Sequence, residues 1–158
     1  MMAESTMKSI MVLQETRTAL LKYIEGLSDE QLLVIPQGSN NNILWHLGHI
    51  AVSQQVLHYS FSGIEPYVSK ELIAAFTKGS SPKDWDETPD IKLIKHMLMD
   101  LPLKLEQDVK KGIFTSYTPY TTAIGVTLNC IEDAIAFNPF HEGMHFALIM
   151  KLKKQLSI

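Results

Sequence analysis

Apolar residues recur at helical spacing along nearly the whole of this 158-residue chain. In the first predicted helix, Ile10, Leu13, Leu20 and Ile24 fall near one stripe, as in an amphipathic helix that buries one face. The second predicted helix is apolar on almost every side, which predicts deep burial. No run of residues indicates a β-strand. The four predicted helices span Ser5–Leu27, Asn42–Ser62, Asp90–Lys111 and Thr127–Gln155.

The segment between the second and third helices is unusually long. Gly63–Pro89 contains one helical candidate, Ser69–Thr77, and three prolines, Pro66, Pro82 and Pro89. Neighbouring helices are normally joined by fewer residues, so this segment is predicted to cross one end of a bundle. The sequence therefore predicts an all-α four-helix bundle with a long crossover between helices 2 and 3, formed by residues 1–158 as a single domain.

Composition excludes several classes of partner. The net charge is −3 and no arginine-rich run or basic face is present, which argues against nucleic-acid binding. No apolar run reaches the roughly 18 residues that a membrane span needs. The N-terminal residues lack the apolar core of a signal peptide, which indicates a cytoplasmic protein. Cys130 is the only cysteine, so an intrachain disulfide is impossible and a packing role is expected.

The stretch HEGMH, residues 141–145, matches the helical zinc signature H-E-x-x-H. His141 and His145 are four residues apart and share one helical face. Buried imidazoles need polar partners, and one metal ion would satisfy both rings. The face predicted to point into the bundle consists of Cys130, Ala134, Phe137, His141, His145, Leu148 and Leu152.

A second pair of histidines, His46 and His49, lies in the most apolar helix. Catalytic zinc commonly takes three protein ligands and leaves a position open, so one of these two could complete a site with the C-terminal pair. Because the helix is apolar all round, its periodicity does not distinguish them. The alternative is a set of core histidines without metal. His58 and His96 are predicted to lie at the surface.

A zinc peptidase is the less favoured interpretation of HEGMH. Such an enzyme needs a third ligand, usually downstream, and residues 146–158 contain no His, Asp or Glu. No predicted strand could hold a peptide substrate. Glu142 remains a candidate general base, although a neighbouring helical position turns about 100° away from His141. The alternatives for Glu142 are a solvated carboxylate and one that supports a metal ligand.

Two stretches, NNILWHLGHIAVSQQ and FNPFHEGMHFALI, resemble the DinB-like (YfiT-like) superfamily of bacterial metal-binding four-helix bundles. The resemblance covers nearly the whole chain, including the long crossover. It implies that His49, His141 and His145 are the metal ligands. His46 then becomes an alternate ligand or a residue beside the site.

The same resemblance implies a divalent metal (zinc, nickel or ferrous iron) and a small-molecule substrate. Relatives include thiol S-transferases that use bacillithiol or mycothiol, so a metal-dependent transferase or hydrolase acting on small electrophiles is expected. The alternative is a non-catalytic protein of the stress response that binds a metal or small molecule. A pocket at the metal would favour the enzyme, and a sealed site with four protein ligands would favour the alternative.

A homodimer is also expected. Relatives tend to be dimers, and exposed apolar surface on the first helix would mark an interface. The residues concerned lie outside or beside the main stripe and are Met2, Met7, Met11 and Val12.

Overall fold

The computed structural model describes residues 4–156, and α-helices account for most of them. The helices are α1 (Glu4–Tyr23), α2 (Asp29–Leu33), α3 (Ile43–His58), α4 (Lys70–Phe76), α5 (Ile91–Lys111) and α6 (Ile131–Gln155). The four long helices form a bundle in which α1 and α3 each pack against both α5 and α6. The predicted all-α four-helix bundle is therefore confirmed.

Local capping signals set where several helices begin. Asn42 accepts a hydrogen bond from the Trp45 amide (2.8 Å) at the start of α3, and Asp90 does the same for α5 through Leu93 (3.0 Å). Ser28 and Gln31 form a reciprocal capping box on α2. These side chains satisfy amide groups that the first helical turn leaves without partners. The short helix predicted inside the crossover is present as α4.

A small β-hairpin before α6 was not predicted from the sequence. Strand β1 (Tyr120–Thr121) pairs antiparallel with β2 (Thr127–Leu128), so α6 begins at Ile131 and not at the predicted Thr127. Two-residue strands are too short to show an alternating pattern. The turn between them uses Gly125 at a φ of 85°, which is readily available only to glycine. Pro102 lies inside α5 and Pro139 inside α6, and each helix continues past its proline.

Burial confirms the prediction for α3 and corrects the one for His58. Every position of α3 except Ser53 and Val56 is buried. His58 was predicted to be at the surface, yet it is fully buried because α3 is enclosed on almost all sides through its last turn. Desolvation lowers the pKa of His58 to about 3. His96 is exposed, as predicted.

Three of the four apolar residues behind the dimer prediction are described by the structure. Met11 and Val12 are exposed, and Met7 is half-buried against the core. Met2 lies outside the described residues, and the homodimer stays a prediction. Among the described residues, no helix combines the length and apolarity needed to cross a membrane.

Candidate metal centre

Three histidines from two helices converge at the interface between α3 and α6. One ring nitrogen from each of His49, His141 and His145 lies within 4.8 Å of the other two. His141 and His145 share a face of α6 because they are one turn apart. His49 faces them from α3, and its Nε2 is 3.3 Å from Nε2 of His141. The structure thus brings together the three residues that the family resemblance implied, here called the histidine cluster.

The crossover fixes the ring of His49. Its Nδ1 lies 2.7 Å from the carbonyl oxygen of Phe76, the last residue of α4. Because a carbonyl can only accept, Nδ1 carries the proton, and Nε2 presents its lone pair to the cluster. Trp45 stacks on the same ring at a centroid distance of 4.7 Å, and its indole nitrogen donates to Ser80. The crossover therefore sets both the tautomer and the orientation of His49.

His46 lies behind the cluster, beside His145. The Nδ1 atoms of the two rings are 2.9 Å apart, so one ring donates a hydrogen bond to the other. This contact occupies Nδ1 of His145 and leaves its Nε2 available. The sequence left open which histidine of α3 joins the C-terminal pair, and in this arrangement it is His49.

Burial keeps these imidazoles neutral. Desolvation lowers the pKa of His46 and of His141 to about 4, and repulsion from a protonated His49 contributes to both shifts. Desolvation lowers the pKa of His145 to about 2, with repulsion from His49, His141 and His46 contributing, and burial also lowers the pKa of His49. Neutral imidazole is the form that coordinates a metal. The cluster therefore presents ligating nitrogens at neutral pH.

Glu142 is turned away from this cluster into a buried ion pair. Its Oε1 accepts from Nη2 of Arg17 (2.7 Å) and from Asn138 (3.0 Å), and its Oε2 accepts from Nε of Arg17 (3.1 Å). Arg17 also donates to the carbonyl of Leu98 on α5. Arg17 and Glu142 are both fully buried. The idea that Glu142 is solvated is wrong, and this pairing does not favour its use as a general base.

The orientation of α6 in the structure explains why Glu142 is buried. Leu148 was predicted to point into the bundle but is 43% exposed, whereas Glu142 is 0% exposed. The helix is rotated so that Glu142 faces α1 rather than solvent. Arg17 was not predicted to pair with Glu142, although a signal was present in the sequence. Arg17 interrupts the apolar stripe of α1 between Leu13 and Leu20, one turn from each.

A cavity of about 310 Å³ adjoins the cluster, and His49 and His141 form part of its wall. Ser53 and Val56, the two positions of α3 that are not buried, also line it. The Ser53 hydroxyl lies 3.2 Å from Nε2 of His49. The remaining walls come from α3 and the turn after it, from α6, from the residues that follow α4 and from the β-hairpin. The histidine cluster is thus open to a space large enough for a small molecule.

Comparison with known proteins identifies the family. The sequence profile of the DinB superfamily matches residues 13–149, which is most of the chain. The chain belongs to the DinB superfamily. Among solved structures, it is similar to YfiT from Bacillus subtilis, described as a probable metal-dependent hydrolase with an unusual four-helix bundle topology. The TM-score is 0.65 at 18% identity, over 99% of this chain and 91% of that one. No curated protein matches this chain.

In this member of the DinB superfamily, Gly48 permits the close contact that positions His49. A Cβ atom at Gly48 would overlap the buried ring of Phe76, whose carbonyl holds His49. Overpacking typically costs about 1–3 kcal/mol, and alanine gains roughly 1 kcal/mol over glycine in a helix. We therefore expect Gly48→Ala to lower the free energy of unfolding by up to about 2 kcal/mol. Displacing Phe76 should also weaken metal binding.

The matched control is Gly143→Ala on α6, where an added Cβ meets nothing within 4 Å. That change should be neutral or should stabilise the protein by up to about 1 kcal/mol. Urea denaturation and zinc titration of both variants test the comparison. Equal effects of the two substitutions would show that the Gly48–Phe76 contact is unimportant.

Proposed function

We propose that the protein binds one divalent metal ion through His49, His141 and His145 and acts as an enzyme on small electrophilic molecules. Thiol S-transfer and hydrolysis are the two reaction types that such a site suits. The observation that carries the proposal is the opening of the histidine cluster onto the 310 Å³ cavity. A purely structural metal site is typically closed by four protein ligands, whereas a catalytic one keeps a position for water or substrate.

The donor set fits a divalent cation. Three neutral imidazoles suit zinc, nickel or ferrous iron. Nε2 of His49 and Nε2 of His141 are 3.3 Å apart, and Nδ1 of His141 is buried without a partner among residues 4–156. A hydrogen bond between these rings would satisfy only two of the cluster's nitrogens. A cation is the partner that satisfies one lone pair on each of the three rings.

The residues around the cluster have separable tasks. The Phe76 carbonyl and His46 hold the rings of His49 and His145 in place, as groups behind metal ligands commonly do. A bound divalent ion supplies Lewis acidity, which lowers the pKa of a coordinated water or thiol. The apolar part of the cavity wall takes up the non-reacting part of a substrate. The description of YfiT as a probable metal-dependent hydrolase supports this assignment.

One observation bears on the choice between the two reaction types, thiol S-transfer and hydrolysis. The carboxylate nearest in sequence to the cluster, Glu142, is paired with Arg17, and no carboxylate among residues 4–156 lines the cavity. Hydrolysis commonly uses a carboxylate or histidine as general base. S-transfer through a low-molecular-weight thiol needs such a base less, because the thiol ionises more readily than water. The absence of a carboxylate therefore favours the transferase over the hydrolase.

Elemental analysis and two probe reactions test the proposal. Purified protein should contain zinc, nickel or iron, one ion per chain, and His141→Ala and His145→Ala should lose it. The metal-loaded protein is then assayed with bacillithiol and 1-chloro-2,4-dinitrobenzene, and separately with 4-nitrophenyl acetate in water. His96→Ala, at an exposed position, is the control. Metal without turnover would favour the binding protein, and absence of metal would refute the proposal.

A further inference from the structure

The protein side chains that line the cavity beside the histidine cluster supply a single formal charge. Among the described residues that line it, only Lys78 is charged at neutral pH, and the others are apolar, hydroxyl-bearing or neutral histidine. Lys78 follows Thr77 at the end of α4, and both residues line the cavity. The Lys78 side chain is exposed and makes no ion pair within residues 4–156. Its ammonium group is therefore available to a ligand.

The wall of the cavity is apolar and partly aromatic. Phe61 packs against Tyr120 of the hairpin with ring centroids 4.8 Å apart. The Phe137 ring lies beside the His141 ring, with a centroid distance of 6.5 Å and an angle of 29° between the ring planes. Val52 and Val56 of α3 add aliphatic surface. Such a surface gains free energy by covering an aryl or alkyl group rather than a sugar or a peptide backbone.

We propose that this site takes small molecules with an apolar body, aryl or alkyl, and one anionic group that pairs with Lys78. The apolar body packs against Phe61 and Phe137, and the anion lies beside the Lys78 ammonium group, two residues past the end of α4. His49 and His141 line the same cavity, so a molecule held in this way lies beside the histidine cluster. The inference rests on the proposed function, because it names the substrate class of the same site. Lys78 acts in specificity and takes no part in the chemical step.

Lysine suits this role because its ammonium group is a flexible point charge with three donors. It can pair with a carboxylate, sulfonate or phosphate without a fixed geometry. Because the pair lies at an exposed edge, its contribution is modest and falls with salt. We expect an anionic ligand to bind about fivefold tighter than its neutral analogue at low ionic strength, as in a favourable exposed ion pair.

A matched pair of probes tests this proposal in the full-length protein. Binding of 4-phenylbutyrate and of its neutral amide, 4-phenylbutyramide, is measured by calorimetry, both as purified and after chelation of any metal. The wild type should prefer the carboxylate about fivefold in both states, Lys78→Gln should remove the preference, and Lys78→Glu should reverse it. Lys70→Gln removes an exposed charge from the start of α4, outside the cavity, and should leave the preference intact.

Several outcomes would overturn the inference. A preference that survives in Lys78→Gln but disappears on chelation would place the carboxylate on the metal. Equal binding of the two probes by the wild type, or no measurable binding of either, would also refute it. Ala123→Trp puts a large side chain at the exposed cavity edge, and unchanged affinity in that variant would place the probes elsewhere. Metal content is measured separately, so a failed proposed function remains distinguishable from a failed specificity assignment.

Discussion

Arg17→Met should lower the free energy of unfolding by about 3–5 kcal/mol, because it leaves the Glu142 carboxylate buried without its partner. Both side chains are fully buried, and the guanidinium makes two hydrogen bonds to the carboxylate and a third to Leu98. The free energy of unfolding of a typical domain is only about 5–15 kcal/mol, so this single change removes a large part of it. Urea denaturation of metal-free protein at pH 7 measures the effect.

Two further variants separate a buried pair from ordinary surface charge. Replacing both residues, as Arg17→Met with Glu142→Leu, removes both buried charges and should recover most of the lost stability. Lys104→Met breaks the partly exposed Lys104–Asp100 pair and should cost no more than about 1 kcal/mol. If Arg17→Met costs no more than Lys104→Met, the Arg17–Glu142 pair does not hold α1 against α6. If Arg17→Met fails to fold, the stability of the double variant still shows whether the unpaired buried charge causes the loss.

The features that the sequence predicted are those encoded locally. Apolar spacing and capping side chains such as Asn42 and Asp90 mark helices without reference to distant residues. Proline and glycine mark the crossover in the same way. The approximate bounds of the four long helices and the bundle class follow from such signals. The convergence of His141 and His145 on one face follows from their spacing alone.

The features that could not be predicted from the sequence depend on contacts with residues far along the chain. Glu142 is buried because α6 turns it toward Arg17, which is 125 residues away. His58 is buried because other elements enclose the end of α3. The choice between His46 and His49 could not come from an all-apolar helix, since its periodicity defines no single buried face. The family resemblance supplied that choice, and the Phe76 carbonyl gives its physical basis.

Protonation of the buried histidines makes the free energy of unfolding depend on pH. Burial lowers the pKa of His46 and His141 to about 4, below the value near 6.5 of an unfolded histidine. The stabilisation that these neutral histidines contribute is therefore fully present above pH 6.5. It is lost as the pH falls toward 4, because the unfolded chain binds protons first. Fully buried His58, with a pKa of about 3, contributes a loss of about 1.4 kcal/mol per pH unit in this range. Metal-free protein should consequently be labile to acid.

Zinc at about 100 times its dissociation constant should raise the free energy of unfolding at pH 7 by about 2.7 kcal/mol, provided that the unfolded chain does not bind it. This gain should persist to about pH 5, because His141 and His145, with pKa values lowered by burial to about 4 and about 2, stay neutral there, and should disappear below pH 4. His49→Ala, His141→Ala and His145→Ala should abolish the response, whereas exposed His96→Ala should keep it. Thermal and urea denaturation with and without zinc measure it.

His46→Ala is the most discriminating variant in this series. His46 contacts His145 rather than completing the cluster, so its loss should weaken zinc binding about 10–100-fold and leave the response visible at higher zinc. Loss of His49 should not be rescued in this way, since its Nε2 faces His141 within the cluster. If His46→Ala abolishes the response and His49→Ala keeps it, the ligand from α3 is His46. In that case the hydrogen bond from His49 to Phe76 serves packing of the crossover rather than the metal.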